Sequence, residues 1–325
     1  MQHTFTVGRS DHEKRIDLWL TEALNYKGIV ISRSALQRLL ASGKVTKKGV
    51  EGPLKSTPKE PVTWEEEYTV EVPDLDAAPA KPVKIAKKLT PSIIFENDDL
   101  LVINKPAGLT VHPARAGHVG TLMDWILMNY PALEGIGEDP LRPGIVHRLD
   151  KETSGVMLIT KTQAAFDELK AKFQDRTMHK TYRTLVHGTT DQTTFTVHGY
   201  LERVKASNKR RLMDHETHNS RYSETHFEVV KRYGDVYTEL LATPKTGRTH
   251  QLRAHLASLQ MAILGDEIYT PVKWQRVEKE TKVWPDHQLL HAERIWFQWR
   301  GIEHSYEAPI PGYFVTVQKR LDGIL

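Results

Sequence analysis

Beyond residue 91 the chain is written mostly in strands. Seven short apolar runs have strand length and a branched or aromatic composition: SIIFE at 92–96, LLVINK at 100–105, GVMLITK at 155–161, TYRTLVHG at 181–188, HFEVVKRYG at 226–234, VYTELLAT at 236–243 and LLHAERIWFQW at 289–299. Three stretches among them repeat with a helical period: TLMDWILMNY, QAAFDELKAKFQDR with Phe166, Leu169 and Phe173 on one face, and HQLRAHLASLQ with Leu252, Leu256 and Leu259 in register. Strand and helix do not alternate, as a parallel doubly wound sheet would require. The pattern predicts an α+β domain with a mainly antiparallel sheet over residues 92–325.

The N-terminal part reads differently. Ile16, Trp19, Leu20, Ala23 and Leu24 lie at the spacing of an amphipathic helix. A second helix is expected from Ser34, with Gln37 completing a capping-box pattern, Leu36, Leu39 and Leu40 to bury, and Gly43 as its stop. Strand-like pieces then end in EEYTVEVP, giving a small α/β domain over residues 1–75. The following PDLDAAPAKPVKIAKKLTP is rich in Pro, Ala and Lys and has no period, so residues 76–91 are read as a linker.

Charge and cysteine content narrow the class. The chain has no Cys, which removes disulfides, thiolate metal sites and Cys nucleophiles. No apolar run approaches the ~20 residues of a membrane span, and the first residues are too polar for a secretory signal; a cytoplasmic location is expected. The net charge of +4 is modest, but two clusters are concentrated. RSALQRLLASGKVTKK holds Arg33, Arg38, Lys44, Lys47 and Lys48 with no acid, and KASNKRR holds Lys205, Lys209, Arg210 and Arg211. Each reads equally as a solvated face or as a set of phosphate contacts.

The stretch with most chemical content is GIVHRLDKETSGVMLITKT, where Asp150 stands among cations at the mouth of an apolar strand. An isolated Asp there is ordinarily a turn residue accepting backbone hydrogen bonds. The alternative is a reactive carboxylate, with Arg248 of TPKTGRTHQLRAH as a partner that keeps it ionised. The sixteen histidines have no metal-ligand spacing, His250 and His255 being five apart, and there is no Gly-rich phosphate cradle or nucleophile elbow. A carboxylate-dependent hydrolase would need a second acid, for which Glu152 is the neighbour available.

HRLDKETSG resembles the signature of the RluA-type pseudouridine synthases, and the resemblance extends over ordered motifs from about residue 90 to 320. LVINKPAGLTVHP is similar to the family's first motif, with Asn104 where Asp or Glu is commoner; KTYRTLVHG, TGRTHQLRAHL with GDEIY, and LLHAERIWF follow in the family's order. The resemblance implies a pseudouridine-synthase catalytic domain in which Asp150 is catalytic, Tyr182 is the active-site tyrosine and Arg248 is the Asp partner. The residues before it resemble an S4-like RNA-binding domain. Together these imply a cofactor-free, metal-free isomerisation of uridine, most plainly in large-subunit ribosomal RNA, with transfer RNA or a non-catalytic ribosome-assembly role as alternatives. The protein is expected to be a monomer without membrane partners. RNA contacts are expected from His147 and Arg148, and from Arg33, Arg38 and Lys44 in the N-terminal domain.

Overall fold

The computed structural model describes all residues except 28, 30, 32, 51, 53, 55, 56, 73–88, 113–119, 140, 141, 206, 281, 282 and 325. Its contacts divide into two units, residues 1–83 with 138–143, and residues 84–137 with 144–325. The expected linker lies outside the described residues as far as residue 88.

In the first unit, β1 (Gln2–Thr6), β3 (Glu67–Glu71) and β2 (Val45–Lys47) form an antiparallel sheet in that order, beside α1 (Ile16–Tyr26) and α2 (Arg33–Ala41). Ile16, Trp19, Leu20 and Leu24 of α1 pack with Leu36, Leu39 and Leu40 of α2 and with Val45, Tyr68 and Val70 of the sheet. The stripes read from the sequence are therefore the core. The expected capping box falls on Ser34, whose side chain lies outside the described residues. Gln37 Nε2 donates to Asp17 Oδ2 at 2.6 Å, and Arg15 donates to the same carboxylate at 3.0 and 3.1 Å. Asp17 is wholly buried, and a buried carboxylate must be met by donors, so Gln37 is drawn inward.

The second unit contains β4 (Ser92–Glu96), β5 (Leu100–Lys105), α3 (Leu122–Asn129), β6 (Ser154–Thr160), α4 (Gln163–Gln174), β7 (His179–His187), β8 (Thr194–Arg203) and β9 (Arg210–Met213). It continues with β10 (Arg221–Tyr233), β11 (Tyr237–Pro244), α5 (Gln251–Ser258), α6 (Val272–Glu280), β12 (Leu290–Trp299), β13 (Ile302–Glu307) and α7 (Gly312–Ile324). Among the described residues these strands make one sheet in the order β4-β5-β6-β12-β7-β11-β10-β8-β9, with β13 added to β12. All of its pairings are antiparallel except β6 with β12. All seven expected strands are present. β8, β9, β13, α6 and α7 were not expected. α5 ends at Ser258, and Leu259, expected on its buried face, is exposed at its C-cap.

The middle of this sheet is covered on both faces. Alternate residues of β5 and β6 enter different cores: Leu100, Val102, Val156 and Leu158 pack with Ala165 and Leu169 of α4, whereas Leu101, Ile103, Met157 and Ile159 pack with Leu122 and Ile126 of α3. This explains why β6 is an unbroken apolar run. It also gives the segment that enters β6, residues 144–153, a rigid base.

Candidate active site

Residues 144–153 are pinned from several sides. Gly144 has φ +68°, and a Cβ there would fall 2.3 Å from the Thr160 carbonyl, so only glycine permits this approach to β6. Thr160 N–H donates to Gly144 O at 2.9 Å. Further on, the buried Lys105 donates from Nζ to the carbonyls of Pro106 (3.0 Å), Leu109 (2.9 Å) and Lys151 (3.1 Å), tying the K-P-A-G turn to the residue after Asp150. Gly108 N–H donates to the same Lys151 carbonyl at 2.9 Å. Burial lowers the Lys105 ammonium from the usual lysine range to about 7, against the opposing pull of Glu152 and Asp150.

The Asp150 carboxylate does not cap its own turn. Oδ2 accepts from Arg253 Nη1 at 3.0 Å, and Arg253 is held on its other side by Asp266, with Nε to Oδ2 at 2.6 Å and Nη2 to Oδ1 at 2.8 Å. Asp266 is itself fixed by the backbone N–H groups of Ile268 (2.9 Å) and Tyr269 (3.1 Å). Burial opposes the charge of Arg253, but the two carboxylates outweigh it and hold the guanidinium above its ordinary value. The fork geometry of arginine allows both grips at once.

Arg248, expected as the partner of Asp150, is not its partner. The loop before α5 turns it outward, where Nε donates to Tyr222 O at 3.1 Å. Gln251 sets that loop by accepting from Arg248 N–H (3.0 Å) and Thr246 Oγ1 (2.7 Å) while donating to Glu224 O (2.9 Å). Arg253 was legible in principle. An arginine on a short helix whose residues 251–256 are all buried must find carboxylates, and Asp266 of GDEIY follows in the sequence.

Asp150 opens onto a cleft of about 550 Å³. Of the residues lining it, Asp150 is the one carboxylate, facing Arg148, Lys170, Arg176, Lys180, Lys245, Arg248 and Arg253. Tyr182 of β7 and Phe173 of α4 supply aromatic surface. Burial first, and the Asp150 charge second, push the Tyr182 phenol above its usual range. It is therefore a protonated donor and a ring face at neutral pH, and not a ready base for the C5 proton. His250 occupies the left-handed region (φ 57°) at the N-cap of α5, with Nε2 3.6 Å from Asp150 Oδ2 and Nδ1 3.3 Å from Tyr269 OH. Burial lowers its pKa against the pull of Asp150. Glu152, the acid a hydrolase would require, is engaged with His287 Nδ1 at 2.7 Å and does not line the cleft. Among the described residues no group of three or more His, Asp or Glu side chains is arranged to hold a metal ion.

A family model described as RNA pseudouridylate synthase matches residues 99–258, which include every residue just described except Asp266, Ile268, Tyr269 and His287. An uncharacterized RNA pseudouridine synthase of Synechocystis is 32% identical over 92% of this chain and 86% of its own length. The ribosomal large subunit pseudouridine synthase D of Vibrio cholerae is 32% identical over 98% of this chain and 95% of its own. The chain belongs to the RNA pseudouridine synthase family. A solved structure of human RNA pseudouridylate synthase domain containing 4 shares the fold, with a TM-score of 0.57 at 23% identity over 71% of this chain and 92% of that one.

The expected RNA contacts of this synthase separate into different kinds. His147 is not a cation: its Nε2 accepts the Leu158 N–H at 2.9 Å, its ring stacks on Phe173 at 4.8 Å, and burial drops its pKa to about 3. It is a prop between the Asp150 segment and β6. Arg148 is exposed at the cleft and donates from Nη1 to His112 Nε2 at 3.0 Å, linking H-R-L-D to the V-H-P of the first motif. Lys44 is paired with Glu71, and its neighbours Lys47 and Lys48 with Glu66 (2.5 Å) and Glu67 (3.1 Å). The run that lacks acids in sequence therefore gains two from β3 and a third, Glu66, from the residue before it. The side chains of Arg33 and Arg38 lie outside the described residues. The second basic cluster meets the site more directly, since Arg210 N–H donates to Tyr269 OH at 2.6 Å, the same hydroxyl that contacts His250.

Proposed function

We propose that this synthase isomerises uridine in large-subunit ribosomal RNA, with Asp150 as the group that opens the glycosidic bond. The observation that carries the reading is the state of Asp150. It is one carboxylate in a cleft of cations, aimed by Arg253 and otherwise available to a substrate. The bond from C1′ to N1 breaks, the base turns, C1′ joins C5, and the C5 proton is given up as N1 gains one; no oxidant, donor or water is consumed. A carboxylate suits either opening step, addition to C1′ or removal of the 2′ proton. Arg253 orients the Asp150 carboxylate. Tyr182 supports the uracil ring from β7 and holds a hydrogen-bond donor beside it. The base must leave its stack to arrive here, at roughly a few kcal/mol when paired, and the exposed Arg148 is suited to hold the flipped state.

The ribosomal substrate rests on similarity to the relatives named synthase D. The first unit is read as an S4-like RNA-binding domain through its helix pair and its Arg33 and Arg38, giving a second RNA contact and a higher effective substrate concentration. A soluble cytoplasmic monomer is the accompanying expectation; among the described residues no helix is long and apolar enough to cross a membrane.

The test is tritium release from ribosomal RNA labelled at uridine C5, with wild type beside Asp150→Asn. Release by wild type alone is expected. Release by both would remove Asp150 from the chemistry. Release by neither from ribosomal RNA, but by wild type from transfer RNA, would transfer the reading to that substrate. Retained RNA binding with no release from either RNA would leave a non-catalytic assembly factor.

A further inference from the structure

Lys180 is the first residue of K-T-Y and stands two positions before Tyr182 in β7. Residues i and i+2 of a strand share a face about 6.6 Å apart, and both side chains line the cleft. Around Lys180 are the Phe173 ring, whose centroid lies 5.5 Å from Nζ, the neutral His147, and Gly247, where a Cβ would come to 3.8 Å from Nζ. Among the described residues no carboxylate pairs with it, in contrast to Arg253, Arg183, Lys161 and Lys47 of this chain. The Gly247 distance places the ammonium on the 245–249 side of the cleft. An enclosed cation without a counter-ion costs stability, and a chain keeps one where a ligand supplies the missing charge.

We propose that Lys180 seats a phosphodiester flanking the target uridine, fixing the backbone while Tyr182 carries the base. The inference rests on the reading of the cleft given above. A nucleotide's phosphate lies roughly one strand repeat from its base, which matches the Lys180–Tyr182 spacing along β7. Arg148, Lys170, Arg176, Lys245 and Arg248 then form an outer ring that draws RNA in, whereas Lys180 makes a contact set in register with the reacting nucleotide. Burial lowers Lys180 to about 8, so it still carries its charge at neutral pH, and a phosphate arriving beside it would strengthen that charge.

The test is a double-mutant cycle across protein and RNA. Transcripts spanning a uridine that wild type converts are made with a neutral methylphosphonate at one or the other flanking phosphodiester, and kcat and KM are measured for wild type, Lys180→Met and Lys180→Arg. Wild type is expected to lose about thirtyfold in kcat/KM on one of the two altered RNAs. Lys180→Met should lose as much on unaltered RNA and little more on that altered one, while Lys180→Arg recovers most of the loss. Lys180→Met should also melt no lower than wild type, because it removes a half-buried charge that no carboxylate among the described residues pairs with. Additive losses at both phosphodiesters would overturn the assignment while leaving the function intact. Absence of any uridine converted by wild type would instead be a failure of the functional reading, and the assignment would fall with it.

Discussion

Arg253 Nη1 reaches Asp150 Oδ2 at 3.0 Å across 103 positions of sequence. The contact is rigid because Asp266 occupies the other two nitrogens of the fork, and Asp266 is in turn held by two backbone N–H groups. Asp150 is thus aimed by a chain of fixed groups running from the first turn of α5 to the turn at 266–269, and not by its own loop alone.

Arg253→Lys should lower turnover by a hundredfold or more, since one ammonium cannot grip both carboxylates and Asp150 loses about 3 kcal/mol of orientation and charge pairing. Arg248→Ala should leave kcat near wild type, raise KM a few-fold and make RNA binding less salt-dependent, as expected of an outward-facing cation. Steady-state kinetics on the same RNA at two salt concentrations separate the two. The opposite ranking would restore Arg248 to the role the motif implied.

Tyr182→Phe tests what the hydroxyl does. The phenol keeps its proton through the neutral range, so kcat at saturating RNA should be nearly flat between roughly pH 7 and 9; a phenolate base would instead raise the rate about tenfold per pH unit. Because its folded pKa is raised, the stability it contributes is lost as pH climbs from the usual tyrosine value toward the folded one. Tyr182→Phe should therefore bind RNA as wild type does and show the same flat profile at a lower rate. A rising limb that vanishes in Tyr182→Phe would give the base role to the phenol.

Asp150 and Tyr182 were legible because their motifs are local, each a few residues around one strand. The Asp partner was not, because it depends on how far a loop turns before a helix starts: residues 244–250 turn out, and the arginine one and a half helical turns later points in. The same limit applied at the N-terminal domain, where a run without acids reads as free positive surface until Glu66 and, from β3, Glu67 and Glu71 are placed against it. Strands buried on both faces, such as β6, declared themselves as apolar runs. β8 alternates Phe195, Val197 and Leu201 with Thr194, Thr196 and His198 as a half-buried strand does, but Gly199 interrupts its apolar face and shortens the run. The stripe of Phe314, Val317 and Leu321 that buries α7 was present in the sequence at helical spacing and was missed.

Two lysines give the stability of this protein a measurable pH slope. On folding, Lys105 falls from 10.5 to about 7 and Lys180 to about 8, so between those values and the ordinary lysine range the unfolded chain binds more protons than the folded one. Stability from these groups consequently rises with pH across that window, at most about 1.4 kcal/mol per pH unit for each. Lys105→Met should remove the larger share, about 2 kcal/mol of the difference between roughly pH 7.5 and 9.5, because Lys105 is fully buried whereas Lys180 is partly open to solvent. Urea unfolding at the two pH values measures it. An unchanged slope in Lys105→Met would mean that this lysine keeps an ordinary proton affinity in the fold.

Gly155 tests whether the join of β6 to β12 controls the site. It lies five residues beyond Asp150, at φ +118°, opposite Ala292 in the parallel pairing of these strands. A Cβ would sit 2.2 Å from the Ala292 carbonyl oxygen and 2.6 Å from its nitrogen, and neither backbone atom can move without opening the sheet. Gly155→Ala should cost more than about 3 kcal/mol and displace the end of the segment that carries Asp150. Gly301, between β12 and β13, also has a positive φ of 78°, but nothing lies within 4 Å of an added Cβ. Gly301→Ala should therefore cost only the backbone strain, about 1 kcal/mol, with activity retained. Comparing the two by urea unfolding and turnover separates close approach from conformational strain. Equal losses would show that the left-handed backbone, and not contact with Ala292, is what requires glycine at 155.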